Sequence, residues 1–273
     1  MKKIFAGFIL PLLIISIACL TSCRDGSTTK QQKKVAKDQV KVIENEIETH
    51  VYPLPTSADV IKMLTEFEVG YEVGLTNSVA NMKKYFDMSK RALNLGVFGA
   101  DLSYATLYNQ AQEVFNYLDG IESLSNELNM AKIYDKDLYP KIKQNFDNRD
   151  TLVNILTKTF NETYASLSDN GQQPLALLVV GGAWVEGIYL TTQVSDAAYQ
   201  VEGISRVLLD QKKSFETYLE ITQQYLSDPN VGNFVKLLDP VKKVYEGIGT
   251  SLTEENIKDI TKAIVDIREL IVK

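Results

Sequence analysis

The 273 residues carry 29 basic and 35 acidic side chains and one histidine, a formal charge of −6. That balance argues against nucleic acid as a partner, because such binding needs a basic face to displace counterions. Seven prolines and 15 glycines are few for an all-β chain of this length, and long stretches free of both favour helix.

Lys2 and Lys3 open the chain with no acidic residue to offset them, and an apolar run from Ile4 to Leu20 follows, broken only by Gly7, Pro11 and Ser16. A run of roughly 17 residues with a proline inside is at the lower limit for a bilayer span, which takes about 20. Residues 1–22 therefore read as a cleaved signal peptide. The run Leu20-Thr21-Ser22-Cys23 resembles the lipobox of bacterial lipoproteins: an aliphatic residue, two small residues, then cysteine. The resemblance implies diacylglycerol transfer to the Cys23 thiol, cleavage after Ser22 and acylation of the freed amine. The mature chain, 273 less 22 or 251 residues, then holds Cys23 as its one cysteine, since Cys19 lies in the leader. No intramolecular disulfide is expected. Two or three acyl chains exceed the marginal binding of a single one, so the anchor in the bilayer should be stable. Without Lys2 and Lys3 the basic count falls from 29 to 27 against 35 acids, a formal −8. That charge does not favour docking on anionic lipid, so the acyl chains must hold the protein there. Arg24 is not the aspartate that retains lipoproteins at the inner membrane in enterobacteria-like sorting, which points the expectation to the outer membrane.

Residues 23–50 read as the lipidated cysteine and a tether. Arg24 to Lys30 is a small polar spacer. Ala36, Val40, Ile43 and Ile47 then recur at helical spacing, as in a short stalk helix. Its charges oppose the helix dipole, with Lys33, Lys34 and Lys37 first and Glu44, Glu46 and Glu48 last. Residues 51–273 read as one all-α domain, a multi-helix bundle of about eight helices. His50 to Pro55 is an extended strap, because each proline fixes its own φ and pushes the preceding residue out of helical geometry. Thr56 or Ser57 caps a helix carrying Val60, Ile61, Leu64 and Phe67, which Gly70 and Gly74 end.

Further helices are expected over 78–94, 101–130 and 137–146, and from Asn148 or Asp150 to 167. Leu95-Gly-Val-Phe-Gly99 reads as a tight link and Ser168-Asp-Asn-Gly171 as a turn. Leu175 to Leu190, opened by Pro174, is the most apolar segment. Gly181, Gly182 and Gly187, with Glu186 among them, favour a central buried helix over a membrane span. Three helices over 201–226, 231–247 and 253–272 complete the chain, the last started by Ser251 or Thr253 with Glu254 and Glu255 behind it.

Two segments echo each other at an offset of 85 residues, Asp101-x-x-Tyr104-x-Thr106 after Gly99 and Glu186-x-x-Tyr189-x-Thr191 after Gly182. An acid and a tyrosine at i and i+3 share a helix face. If the two helices are neighbours, two carboxylates and two phenols converge. The pocket expected there would take a small ligand, a cation or an amine, bounded by Trp184 and the flanking tyrosines. The plainer alternative is that each acid pairs locally while each tyrosine packs with its hydroxyl at the rim.

Much enzyme chemistry is missing. His50 is the one histidine, there is no Gly-x-Ser-x-Gly elbow, and no Cys/His cluster has zinc spacing. No phosphate-binding Gly-x-x-x-x-Gly-Lys-Ser/Thr loop occurs, so no cofactor or metal is expected. The stretches Tyr52-Pro-Leu-Pro-Thr56 and Leu93-Asn-Leu-Gly-Val-Phe-Gly-Ala-Asp-Leu-Ser-Tyr104 resemble segments of uncharacterised helical bacterial lipoproteins, a group that brings no known activity. The leading expectation is a lipid-anchored, non-enzymatic domain that binds a small ligand or an envelope protein. The alternatives are a carboxylate-dependent hydrolase, which needs only two acids, and a scaffold of an envelope complex.

Overall fold

A computed structural model of the chain describes residues 70–130, 137–194 and 202–273, all within one compact unit that spans 42–273. The expected signal peptide, Cys23, and the expected tether, His50–Pro55 strap and helix after Thr56 or Ser57 lie outside the described residues. Within them the fold is all-α, as composition and periodicity indicate, with no strand. Nine α-helices follow in order: α1 Met88–Leu107, α2 Ala111–Glu127, α3 Leu138–Gln144, α4 Arg149–Asp169, α5 Gln173–Val194, α6 Glu202–Thr222, α7 Pro229–Leu237, α8 Asp239–Gly247 and α9 Glu254–Val272. Two short 3₁₀ turns, Val79–Lys84 and Gln223–Tyr225, join them.

Local chemistry sets these boundaries. Asp87 starts α1, its carboxylate accepting from the Lys90 N–H at 2.8 Å. Asn109 ends that helix in the left-handed conformation (φ 54°), with the Gln110 N–H reaching back to the Ala105 carbonyl at 2.9 Å. Asn129 ends α2 the same way, and Gly171 ends α4 within the expected turn. At α9, Thr253 and Asn256 form a reciprocal capping box.

The expected helix over 78–94 is therefore a 3₁₀ turn and a separate start at Met88. The expected helix over 101–130 is split at Asn109, because an asparagine side chain tolerates the left-handed turn as few others do. Leu95–Gly99 is no link; α1 runs straight through it. The expected helix over 231–247 is two, divided at Leu238 ahead of Pro240, whose ring cannot sit inside a continuous helix.

The centre is the crossing of α1 and α5. Helix α5 is apolar all round and is packed by α1, α4 and α9. Among the described residues it is the one helix long and apolar enough to cross a membrane, yet 89% of its apolar window is buried inside the bundle. Glycines let the two backbones touch. A β-carbon at Gly96 would run into the Val179 carbonyl oxygen and the Ala183 nitrogen, and one at Gly182 into the Leu93 carbonyl oxygen. Gly181 instead makes room for side chains, the Phe234 ring of α7 and the Tyr218 hydroxyl of α6.

The end of α9 docks on α1. Its last carbonyls would be orphans, and α1 and the residues just before it supply donors. Asn94 Nδ2 donates to the Ile271 carbonyl at 2.9 Å, Lys90 Nζ to Leu270 at 2.9 Å and the Tyr85 hydroxyl to Val272 at 3.3 Å. The Lys90 ammonium also complements the negative end of the helix dipole.

Candidate functional site

From their crossing α1 and α5 run on in the same sense, which carries Asp101 and Glu186 to one another, each 0% exposed. The two carboxyls are neighbours, close enough for the Glu186 charge to act on Asp101. Arg268 of α9 closes on Glu186 as a fork, Nε to Oε2 at 2.7 Å and Nη2 to Oε1 at 2.8 Å. Its Nη2 also donates to the Leu75 carbonyl at 3.2 Å, and its guanidinium carbon lies 4.0 Å from the centre of the Tyr189 ring. Burial alone would lower the Arg268 pKa, but Glu186, helped by Asp101, raises it above the ordinary value.

Asp101 faces a different situation. Its Oδ2 accepts from the Asn77 N–H at 3.1 Å, while no N–H or hydroxyl reaches Oδ1. Burial, and next the Glu186 charge, push its carboxyl well above the usual carboxylate range. Both observations fit a protonated Asp101 that donates from Oδ1 to Glu186. One acid, one carboxylate and one guanidinium then sum to zero charge in the interior, where an unpaired ion would be expensive.

The sign of the pH effect follows. Asp101 binds its proton more tightly folded than unfolded, where its pKa is about 3.9. Its contribution to stability is complete below that value and is lost as the pH rises towards the folded pKa. Asp101→Asn keeps the shape and carries no proton to lose. Wild-type stability should thus fall relative to the variant by at most about 1.4 kcal/mol per pH unit above pH 4. Urea titrations of both proteins across pH 4–8 measure this; parallel curves would count against it.

Around the acids lies a polar shell. Asn77 donates from Nδ2 to the Tyr85 hydroxyl at 2.9 Å and to Asn94 Oδ1 at 3.2 Å, and its carbonyl accepts from the Tyr117 hydroxyl at 3.1 Å. Tyr104 accepts from the Glu72 N–H at 3.1 Å and stacks on Tyr71, ring centres 5.2 Å apart. Burial raises the phenols of Tyr85 and Tyr104 to about 12, so both stay neutral hydroxyls. Tyr189 and Tyr104 border the same small apolar cluster with Leu75, Ala100 and Leu190.

Asp101 and Glu186 thus lie together with Arg268 and Tyr189, and Tyr104 borders the apolar cluster beside Tyr189; none of these residues lines the described cleft. Trp184 lies elsewhere, its ring stacked on Phe215 of α6 at 4.8 Å. Two positions from Glu186 is 200° around a helix, so Trp184 points away from the acids. The echoed threonines are spent within their helices, Thr106 Oγ1 donating to the Leu102 carbonyl at 2.7 Å and Thr191 Oγ1 to Gly187 at 2.8 Å. Arg268 and Asn77 were not among the expected residues. A basic residue one turn from Ile264 and from Ile271, on the apolar side of α9, is the signal that marks Arg268; nothing comparable marks Asn77.

Open space lies beside this core. A cleft of about 430 Å³ separates the 71–79 segment from the start of α2, lined by Tyr71, Thr76, Gln112, Glu113, Asn116 and Tyr117 among others. The Thr76 hydroxyl lies beside the Tyr71 and Tyr117 phenols, which feel the Asp101 carboxyl behind them. These three side chains therefore form the wall between cleft and acid pair. Chemically the wall and the facing helix offer hydroxyls, amides and one carboxylate, a set suited to holding a ligand.

Comparison with protein-family models, with curated proteins and with solved structures finds no match.

Proposed function

We propose that this chain is a lipid-anchored lipoprotein of the bacterial cell envelope whose helical body binds a small ligand without transforming it. The anchor rests on Lys2, Lys3, the apolar run and Leu20-Thr21-Ser22-Cys23, with Arg24 favouring the outer membrane. One observation carries binding over catalysis. The converging acids, Asp101 and Glu186, are 0% exposed, and Arg268 holds both oxygens of Glu186. General acid–base work needs a group within reach of substrate, and here the reachable groups are those of the cleft. The scaffold alternative needs a broad apolar face. The large apolar side chains exposed among the described residues, Val73, Phe86, Leu226 and Leu270, are scattered along the chain.

The anchor is tested by metabolic labelling with a palmitate analogue in a bacterium with lipoprotein processing. Wild type should take up label and fractionate with membranes; Cys23→Ala should do neither. Continued labelling of the variant would refute the anchor.

A further inference from the structure

Which ligand the cleft suits follows from its charge balance and size, given the binding role proposed above. Two charged features border it. The first turn of α2, Ala111 to Glu113, brings the positive end of a helix dipole, and no side chain caps that end. The Glu113 carboxylate stands in the same turn and opposes it. No lysine, arginine or histidine is among the described lining residues. An anion would meet Glu113 with no cation to hold it, and an ammonium group would meet the dipole's positive end. A neutral ligand meets neither penalty.

The remaining lining groups are bifunctional. Thr76, Ser78 and Tyr71 contribute hydroxyls that both donate and accept, and Gln112 and Asn116 contribute amides that do the same. Such a set matches vicinal hydroxyls, each of which also donates and accepts. The Gln112 amide already donates to Asn116 Oδ1 at 3.0 Å, so the pair is held ready as one polar edge. Opposite it, Tyr71 has Tyr104 stacked on its ring and Val73 beside it at the rim, 87% exposed. An aromatic ring and a valine suit the C–H face of a pyranose, whose hydroxyls point sideways. A volume of about 430 Å³ is of the size that takes a small molecule.

We infer that the cleft between residues 71–79 and the first turns of α2 is a carbohydrate site for a neutral mono- or disaccharide. Tyr71 stacks on the sugar ring, and Gln112, Asn116 and Thr76 bond its hydroxyls. Glu113 accepts from one hydroxyl and turns away anionic sugars.

Saturation-transfer NMR on the acylated chain in nanodiscs tests this with five probes: glucose, N-acetylglucosamine, maltose, choline and methyl phosphate. Neutral sugars should receive saturation, and Ala111→Trp, which fills the cleft from an exposed position, should abolish it. Gln112→Ala, also at an exposed position, should weaken sugar binding roughly fivefold to tenfold while leaving the thermal midpoint unchanged. Saturation of choline or methyl phosphate that Ala111→Trp removes, with none on the sugars, would overturn the carbohydrate class and leave the binding role standing. Sugar signals that persist in Ala111→Trp would overturn the site, and silence from all five probes would overturn both site and class. Palmitate labelling is unaffected by any of these outcomes.

Discussion

Arg268→Met should destabilise the protein by about 3–5 kcal/mol, the range for removing one partner of a buried ion pair. The variant keeps most of the side-chain volume, so the loss isolates charge from packing. It takes the forked guanidinium away from a Glu186 side chain that is 0% exposed and stands beside a second carboxyl. It also frees the Leu75 carbonyl and with it the loop that carries Asn77. For a domain of this size such a loss is a fall in thermal midpoint of roughly 8–15 °C. The double variant Glu186→Gln with Arg268→Met should recover much of it, because no unpaired charge then remains. Differential scanning calorimetry of the three proteins decides the matter. A double variant weaker than Arg268→Met alone would mean that the fork contributes geometry rather than charge balance.

Gly182→Ala is the second large effect, and its sign is informative. In a helix interior, replacing glycine by alanine ordinarily stabilises by about 1 kcal/mol. Here the new methyl meets the Leu93 carbonyl oxygen, carbon and α-carbon, all backbone atoms of α1 that cannot rotate aside. The crossing must open, and with it the contact that carries Asp101 to Glu186. A cost of about 3 kcal/mol or more is expected, at or above the top of the usual overpacking range. Gly99→Ala, on the partner helix α1, is the control. Its nearest neighbour would be the Phe160 ring edge at 3.7 Å, an ordinary contact, so the variant should be neutral or more stable. Equal effects at both positions, read from urea midpoints, would refute the close approach.

These two sites show what could be read in advance. The apolar run 175–190 with its glycines reads as a buried helix, because glycines in so apolar a stretch suit close packing. Gly96 and Gly99 read locally as a link, because glycine commonly ends helices. Gly96 fits α1 because it lies against α5, a fact that no local spacing carries. The echo of Asp101-x-x-Tyr104 and Glu186-x-x-Tyr189 did mark two faces that meet. What it could not carry was the third charge. Arg268 is 82 residues from Glu186, and only folding shows that α9 brings it there. The cleft was not foreseeable either. Tyr71, Thr76 and Tyr117 come from a loop and a helix whose approach depends on Asn77, a single buried amide in an irregular segment.

The claim that binds the account together is that Asp101 keeps its proton and gives it to Glu186 as a hydrogen bond, making the acid pair a closed wall rather than a reacting site. Selective ¹³C labelling of aspartate, with the Asp101 carboxyl assigned through Asp101→Asn, follows it directly. This carbon should still report a carboxylic acid after the exposed aspartates have titrated. A carboxyl that titrates with them, near pH 3.9, would contradict it.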